Sequence, residues 1–365
     1  METKQAIVNG APVKYIQKPG LLRELGRWCR PWCNTGHVLV IAADHILRQQ
    51  AAAIKAGFTR EGLRAELEEF GGECCNAEIN RLQSALLRCH GGLVVGIGGG
   101  KVLDTAKAVA HFAKVPVAVA PTAASSDAAS SALAVLYTED GRLDRYLPLA
   151  HNPQMVLADS QVIAAAPPRL LAAGMGDALS TWYEARACTL SGGTTGAGGC
   201  CGVAALSLAR GCRDTLFASG EKALEDVKAG KLTSAVEQVI EVNLYLSGLG
   251  FENGGLAAAH AVANGFARLS LSPAMHGELA AFGTLVQLVL EKDQAELPRV
   301  MEFCRHVGLP VCLEDLGCGQ LGEEMLLLAA EKACAPEFSM GNMPFAVTPE
   351  ELCRAILTLN QLARE

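Results

Sequence analysis

Three ionisable residues, Asp177, His260 and His276, lie in stretches of the second half of the chain that otherwise carry few charges. A buried carboxylate is costly unless it is paired or bound to a cation. One carboxylate and two imidazoles would give a divalent metal three ligands and leave a coordination position open for a substrate. These residue types therefore predict a metal centre. The set suits both Zn²⁺ and Fe²⁺, so ligand type does not fix the metal.

The same residues have structural alternatives. A single histidine on an apolar helix is usually a core residue with satisfied hydrogen bonds, and Asp177 could cap or pair locally. The spacing from Asp177 to His260 carries no information by itself.

A second chemical feature is the glycine run Gly98, Gly99 and Gly100, which is followed by Lys101. An apolar stretch of strand length precedes the run, and a helical pattern follows it. Strand, glycine turn and helix form the local geometry that binds phosphate groups, because backbone N–H groups at the helix start point at the anion. We interpret the turn as a pyrophosphate site. A tight turn without a ligand is the alternative, since the run matches neither G-x-G-x-x-G nor the Walker A pattern.

The elements that must position these residues alternate between strand and helix through the first 165 residues, and the strands are largely apolar throughout. This pattern predicts a parallel sheet covered on both faces, whose ligands lie beyond the carboxyl ends of the strands. Asp44, the glycine turn and the loop after Ala120 should share that edge. Asp44 could accept hydrogen bonds from an adenosine ribose and disfavour a 2′-phosphate; a solvated turn aspartate is the alternative.

The segment from 121 to 131 is small, polar and long, and Asp127 is its only charged residue. It leads into an apolar stretch and a turn at 139–141, so we predict a hairpin beside the cofactor. An anion at 127 could accept hydrogen bonds from the hydroxyls of a polyol and would repel an acidic substrate. A mobile surface loop is the alternative reading of the segment.

The second half shows long amphipathic helical patterns and no convincing strand. The sequence therefore predicts two domains: an α/β dinucleotide-binding domain over 1–165 and an all-helical metal and substrate domain over 166–365.

Composition limits the possible partners. A net charge of −7 without a basic cluster argues against nucleic acid. No apolar run reaches membrane-spanning length, and the N-terminus lacks the pattern of a signal peptide, so we expect a cytoplasmic protein. The 14 cysteines include no C-x-x-C pair and are expected to be reduced thiols.

Several motifs occur together in one order: Gly98–Lys101 with Asp104-Thr-Ala-Lys107, Pro121-Thr122 with Ser125-Ser-Asp127, Gly174–Asp177, His260–Gly265 and His276-Gly-Glu278. On these motifs the chain closely resembles the NAD-dependent glycerol dehydrogenases of the metal-containing alcohol dehydrogenase superfamily, which have the dehydroquinate synthase-like fold. The resemblance extends over nearly the whole chain. One local departure is Ala129-Ser130, where close relatives have Pro-Cys.

The resemblance implies zinc on Asp177, His260 and His276, a cleft between the two domains, and glycerol beside Asp127 and the metal. It also implies a homo-octamer, oxidation of glycerol and other vicinal diols, and the reverse reduction of dihydroxyacetone. The NAD contacts that it implies are Asp44, Gly100, Lys101, Thr122, Ser125, Ser131, Leu133 and Tyr137, to which the glycine turn adds Gly98 and Gly99.

Rival readings within the same fold are a dehydrogenase of another alcohol or of a hydroxy acid, and a lyase resembling dehydroquinate synthase. A phosphorylated substrate would require several cationic side chains, and the metal motifs contain almost none. A binding protein without catalytic activity is a third class.

Overall fold

This computed structural model of the protein describes residues 6–364. The chain forms two compact units. The α/β unit comprises Gly10–Ala124 and Ala128–Ala166, and the helical unit comprises Pro167–Glu365, Ser125–Asp127 and the described part of Met1–Asn9. The segment Ser125–Asp127 thus belongs to the helical unit, although the residues on both sides of it belong to the α/β unit.

The α/β unit is built on a six-stranded parallel sheet with the order β1-β8-β5-β4-β2-β3. Its strands are β1 (Lys14–Lys18), β2 (His37–Ala42), β3 (Arg64–Glu69), β4 (Leu93–Gly98), β5 (Val117–Pro121) and β8 (Met155–Asp159). The central strands are buried along their whole length, as expected for strands covered on both faces. The predicted parallel sheet is therefore confirmed.

The helices of this unit are α1 (Leu25–Cys29), α2 (Asp44–Arg60), α3 (Asn76–Arg88), α4 (Gly100–Ala113) and α5 (Ser160–Ala164), with 3-10 turns at Leu21–Glu24 and Arg30–Trp32. Four of them, α1 to α4, connect successive parallel strands, and α5 follows the last strand. One core cluster under the sheet joins leucine and valine side chains of the strands to Phe58 of α2 and Leu25 of α1. Burial of these apolar side chains fixes the strands and hence the loops at their carboxyl ends.

A two-stranded antiparallel hairpin, β6 (Leu133–Tyr137) and β7 (Leu143–Pro148), follows the small polar segment. The hairpin turn contains Gly141 with φ 81°, a left-handed conformation that glycine adopts without strain. The hairpin predicted after the 121–131 segment is present.

The helical unit contains nine helices within residues 6–364. They are α6 (Pro168–Ser191), α7 (Val203–Lys228), α8 (Ser234–Glu241), α9 (Ser247–Gly254), α10 (Ala258–Arg268), α11 (His276–Glu291), α12 (Glu296–Val307), α13 (Glu323–Ala333) and α14 (Pro349–Leu362). A π-helical turn, Val242–Leu246, joins α8 to α9, and a 3-10 turn covers Ser339–Asn342. The central helices α6, α10 and α11 are buried over most of their length. Across the described chain, no helix combines the length and the apolar character needed to cross a membrane.

Candidate functional site

Two glycines allow the helices that carry Asp177 and His276 to pack with their backbones in contact. A Cβ atom on Gly277 would lie 1.9 Å from the carbonyl oxygen of Ala173, and one on Gly176 would lie 2.3 Å from the carbonyl oxygen of Gly277. Any side chain at either position would force α6 and α11 apart. Asp177 follows Gly176 and His276 precedes Gly277, so this close packing brings the two functional side chains together.

The structure brings all three predicted metal ligands together. Nε2 of His260 lies 3.3 Å from Oδ1 of Asp177, and Nε2 of His276 lies 3.6 Å from the same oxygen. The three ligand atoms all lie within 4.8 Å of one another. Tetrahedral bonds of about 2.0–2.2 Å would place neighbouring ligand atoms about 3.3–3.6 Å apart. The observed separations therefore fit a divalent metal held at one point between the three atoms.

The burial of these side chains is consistent with a metal centre that has one open side. Asp177 is 1 % exposed and its Oδ1 accepts no well-formed hydrogen bond within residues 6–364. The His260 side chain is 8 % exposed, whereas that of His276 is 49 % exposed. The site can thus be reached by a substrate from the side of His276.

Glu184 is a functional residue that the sequence analysis missed. It is fully buried on α6, and its Oε2 lies 2.6 Å from Nδ1 of His260. Its Oε1 accepts the backbone N–H groups of Ala257 and His260, each at 2.8 Å. A carboxylate at Nδ1 favours the tautomer with the proton on Nδ1, which leaves the Nε2 lone pair free to bind a metal. Its position seven residues after Asp177, on the same face of α6, was the available signal.

Asp127 lies next to the metal ligands. Its backbone N–H donates to Oδ2 of Asp177 at 3.1 Å, and its own Oδ2 accepts the hydroxyl of Ser247 at 2.8 Å. Ser247 is 3.1 Å from the hydroxyl of Thr181. Ser247 immediately follows the π-helical turn Val242–Leu246, a type of irregularity that is frequent at functional sites.

The carboxylates and imidazoles of this cluster shift one another's pKa values. Burial, followed by the charge of Asp177, raises the pKa of Asp127 well above its usual value. Burial opposes the charge of His260, but Glu184 and Asp177 outweigh it and raise the pKa of His260 well above its usual value. Among the ion pairs of residues 6–364, none joins a lysine or arginine to Asp127, Asp177 or Glu184. A divalent metal would balance the charge of these buried carboxylates.

The glycine turn of the α/β unit has open space over its backbone. A Cβ atom on Gly98 would lie 2.6 Å from Val102, whereas Cβ atoms on Gly99 and Gly100 would meet nothing within 4 Å. Helix α4 begins at Gly100, so its first N–H groups have no partner within the helix. This open space leaves room for an anionic group, so the pyrophosphate site stays a prediction.

Lys101, beside this turn, contacts an acidic and an aromatic side chain. Its Nζ lies 2.7 Å from Oε2 of Glu73 and 4.9 Å from the centre of the Tyr137 ring. Burial raises the pKa of Tyr137 to about 12, so this phenol stays neutral over the working range of most enzymes. An incoming phosphate would compete with Glu73 for Lys101.

The other residues expected at NAD divide between the two units. Asp44 begins α2, directly after β2 and Ala43, and Thr122 follows β5. The strands β2, β4 and β5 are neighbours in the sheet. Asp44, Gly98–Gly100 and Thr122 therefore lie in a row at the carboxyl ends of these strands. Ser131 lies two residues before β6, and Leu133 and Tyr137 are the first and last residues of that strand. Ser125 belongs to the helical unit.

The order of strands places a topological switch point between β2 and β4, because the chain continues from β2 to β3 on one side and from β4 to β5 on the other. Ligands of open parallel sheets bind in the crevice at such a point. Asp44 and the glycine turn flank this crevice.

The chain is similar to known proteins in both sequence and structure. Residues 12–160 match the family described as iron-containing alcohol dehydrogenase. The chain is 47 % identical to a glycerol dehydrogenase of Escherichia coli O6:H1 over 96 % of each chain, and 48 % identical to one of Pseudomonas putida over 97 % of each chain. A solved structure of a probable glycerol dehydrogenase from Sinorhizobium meliloti 1021 matches with a TM-score of 0.92 and 41 % identity, over 98 % of this chain and 99 % of that one.

Proposed function

The chain belongs to the glycerol dehydrogenases of the iron-containing alcohol dehydrogenase family, and we propose that it oxidises glycerol to dihydroxyacetone with NAD and a divalent metal. The reaction transfers a hydride from C2 of glycerol to NAD, which gives NADH, and the C2 hydroxyl releases its proton. The reverse reduction and the oxidation of other vicinal diols belong to the same activity.

The observation that carries the proposal is the meeting of Asp177, His260 and His276 around one point, with Asp127 beside them. When bound, the metal lowers the pKa of a substrate hydroxyl and NAD accepts the hydride. The ligand set and its separations fit Zn²⁺, and Fe²⁺ has the same ligand preferences.

The residues of the chain supply orientation. Glu184 holds His260 through its Nδ1, so that Nε2 keeps its lone pair for the metal. Asp127 offers a carboxylate to the hydroxyls of a polyol and repels substrates that carry a carboxylate or phosphate. Ser247 fixes one oxygen of Asp127 through its hydroxyl and leaves the other for substrate.

The α/β unit would bind NAD through the glycine turn, which presents N–H groups to the pyrophosphate. Lys101 would add a positive charge there, and Asp44 would accept hydrogen bonds from the adenosine ribose. Thr122, Ser125, Ser131, Leu133 and Tyr137 complete the contacts that we assign to NAD. A carboxylate at position 44 favours NAD over NADP.

The test is to measure NADH formation from glycerol, with a 2-hydroxy acid and glycerol phosphate as competing substrates. His276→Ala should abolish glycerol oxidation, because it removes one metal ligand. The matched control is His306→Ala, which changes an exposed histidine that pairs with Glu221. Activity on the hydroxy acid but not on glycerol, or a fully active His276→Ala variant, would contradict the proposal.

The assembly that we propose is a homo-octamer. Several large apolar side chains of the helical unit are exposed in the single chain, among them Leu190 at 70 % and Val203 at 82 %. Contact between copies would cover such side chains. Light scattering should give a mass about eight times 38.2 kDa; a mass of one chain would contradict the assembly and leave the catalytic proposal unaffected.

A further inference from the structure

Lys107 is a fully buried lysine that the catalytic account does not use. It lies on α4, and its side chain is 0 % exposed. A lysine is almost never fully buried unless it is paired, because the loss of water around an ammonium is costly. Its burial therefore needs an explanation.

The ammonium of Lys107 makes one ion pair and two hydrogen bonds. Nζ lies 2.8 Å from Oδ1 of Asp104 and donates to the carbonyl oxygens of Ala128, at 2.8 Å, and of Leu133. Asp104 uses its other oxygen to accept the backbone N–H of Val135 at 3.0 Å. The pair on α4 therefore binds the backbone of residues 128–135 at three separate points.

The segment held in this way carries cofactor residues of the proposed function. Ser131 and Leu133 lie within residues 128–135, and Tyr137 lies two residues after them. Asp127 directly precedes the segment in the chain. Two further hydrogen bonds hold the segment. Ser131 donates to the carbonyl of Ala128, and Asn152, from outside the segment, donates to the carbonyl of Ser130 at 2.9 Å. Its first five residues are only alanine and serine, so hydrogen bonds contribute strongly to its shape.

We propose that Lys107, together with Asp104, is a positioning residue for NAD: it fixes the backbone of residues 128–135 in the conformation that binds the cofactor. This inference rests on the proposed function. Without the ammonium, the carbonyls of Ala128 and Leu133 lose their donor and the segment populates other conformations. If the binding-competent fraction falls to about a tenth, the apparent Kd for NADH rises about tenfold.

The experiment compares Lys107→Met with the double variant Asp104→Asn/Lys107→Met, using NADH fluorescence to measure binding and thermal unfolding to measure stability. Lys107→Met leaves a buried, unpaired carboxylate and should lower both stability and NADH affinity. The double variant removes that charge, and its asparagine Oδ1 can still accept the N–H of Val135. It should recover most of the lost stability but keep the raised Kd, because the two carbonyls still lack their donor.

A purely structural role predicts a different result, namely that NADH affinity returns to the wild-type value together with stability in the double variant. That outcome would overturn the inference, as would wild-type affinity in Lys107→Met. Lys114→Met is the matched control, since it makes the same change at an exposed lysine directly after α4 and should leave the Kd unchanged. Failure of the wild-type protein to bind NADH would instead contradict the proposed function.

Discussion

The carboxylate of Glu184 lies 2.6 Å from Nδ1 of His260, on the opposite side of the imidazole ring from Asp177. Glu184 and Asp177 are both on α6, so a single helix supplies one of the proposed metal ligands and the partner that orients another. The same carboxylate also accepts two backbone N–H groups at the start of α10. Glu184 therefore fixes both the ring and the helix end that carry His260.

This relationship predicts that Glu184→Gln weakens metal binding. An amide can hold the ring but lacks the charge that makes Nε2 a stronger ligand, and loss of such partners typically costs about 10- to 100-fold in metal affinity. Competition for Zn²⁺ against a chromophoric chelator measures the effect. Glu225→Gln, an exposed change on α7, serves as the control. Equal zinc affinity in Glu184→Gln and the control would mean that Glu184 only supports the fold.

Cofactor choice should depend on Asp44 and its neighbour Arg48, which form an ion pair on the first turn of α2. The wild-type enzyme should prefer NAD. Asp44→Ser removes the carboxylate and frees Arg48 to bind a 2′-phosphate, so NADP should become a usable cofactor. In Asp44→Ser/Arg48→Ala that gain should disappear. Values of kcat/KM for both cofactors in the three proteins provide the measurement, and unchanged discrimination in Asp44→Ser would exclude the assigned role.

Substrate choice should depend on Asp127. Loss of a charged hydrogen bond costs about 1.5–3 kcal/mol, so Asp127→Asn should lower kcat/KM for glycerol by about ten- to a hundred-fold. The loss should be similar for 1,2-propanediol, and a 2-hydroxy acid should be a poor substrate of the wild-type enzyme. Asp140→Asn, in the exposed hairpin turn, should have no effect. Wild-type kcat/KM on glycerol in Asp127→Asn would show that Asp127 has no part in substrate binding.

Acid stability should depend on Glu78, which accepts the N–H of Gly71 at 2.9 Å and pairs with Arg81. Burial opposes its charge, but the contacts with Arg81 and Gly71 outweigh it and lower its pKa. Because the pKa of Glu78 is lower in the folded than in the unfolded protein, its charge stabilises the fold at pH values above the unfolded-state pKa, about 4.3. This stabilisation is lost as the pH falls through the folded-state pKa. Urea unfolding should show Glu78→Gln less stable than wild type at pH 7, with the difference shrinking toward pH 3. A constant difference over that range would contradict the assignment.

The sequence was sufficient to predict the alternating sheet and the grouping of Asp177, His260 and His276, for physical reasons. Buried parallel strands are apolar throughout, and ionisable side chains that are buried in mostly apolar helices need partners. Glu184 was missed because its partner, His260, is 76 residues away, and a helical pattern does not show which distant side chain a glutamate meets. The same holds for Lys107, whose acceptors are backbone carbonyls that sequence patterns do not reveal.

The most direct test of the central claim is to remove and restore the metal. Dialysis against a chelator should abolish NADH formation from glycerol, while circular dichroism should remain helical because α6, α10 and α11 pack through apolar faces. Added Zn²⁺ should restore activity in proportion to the amount bound, and activity should be complete when one ion per chain is bound at Asp177, His260 and His276. Full activity in protein shown by elemental analysis to be free of metal would contradict the account.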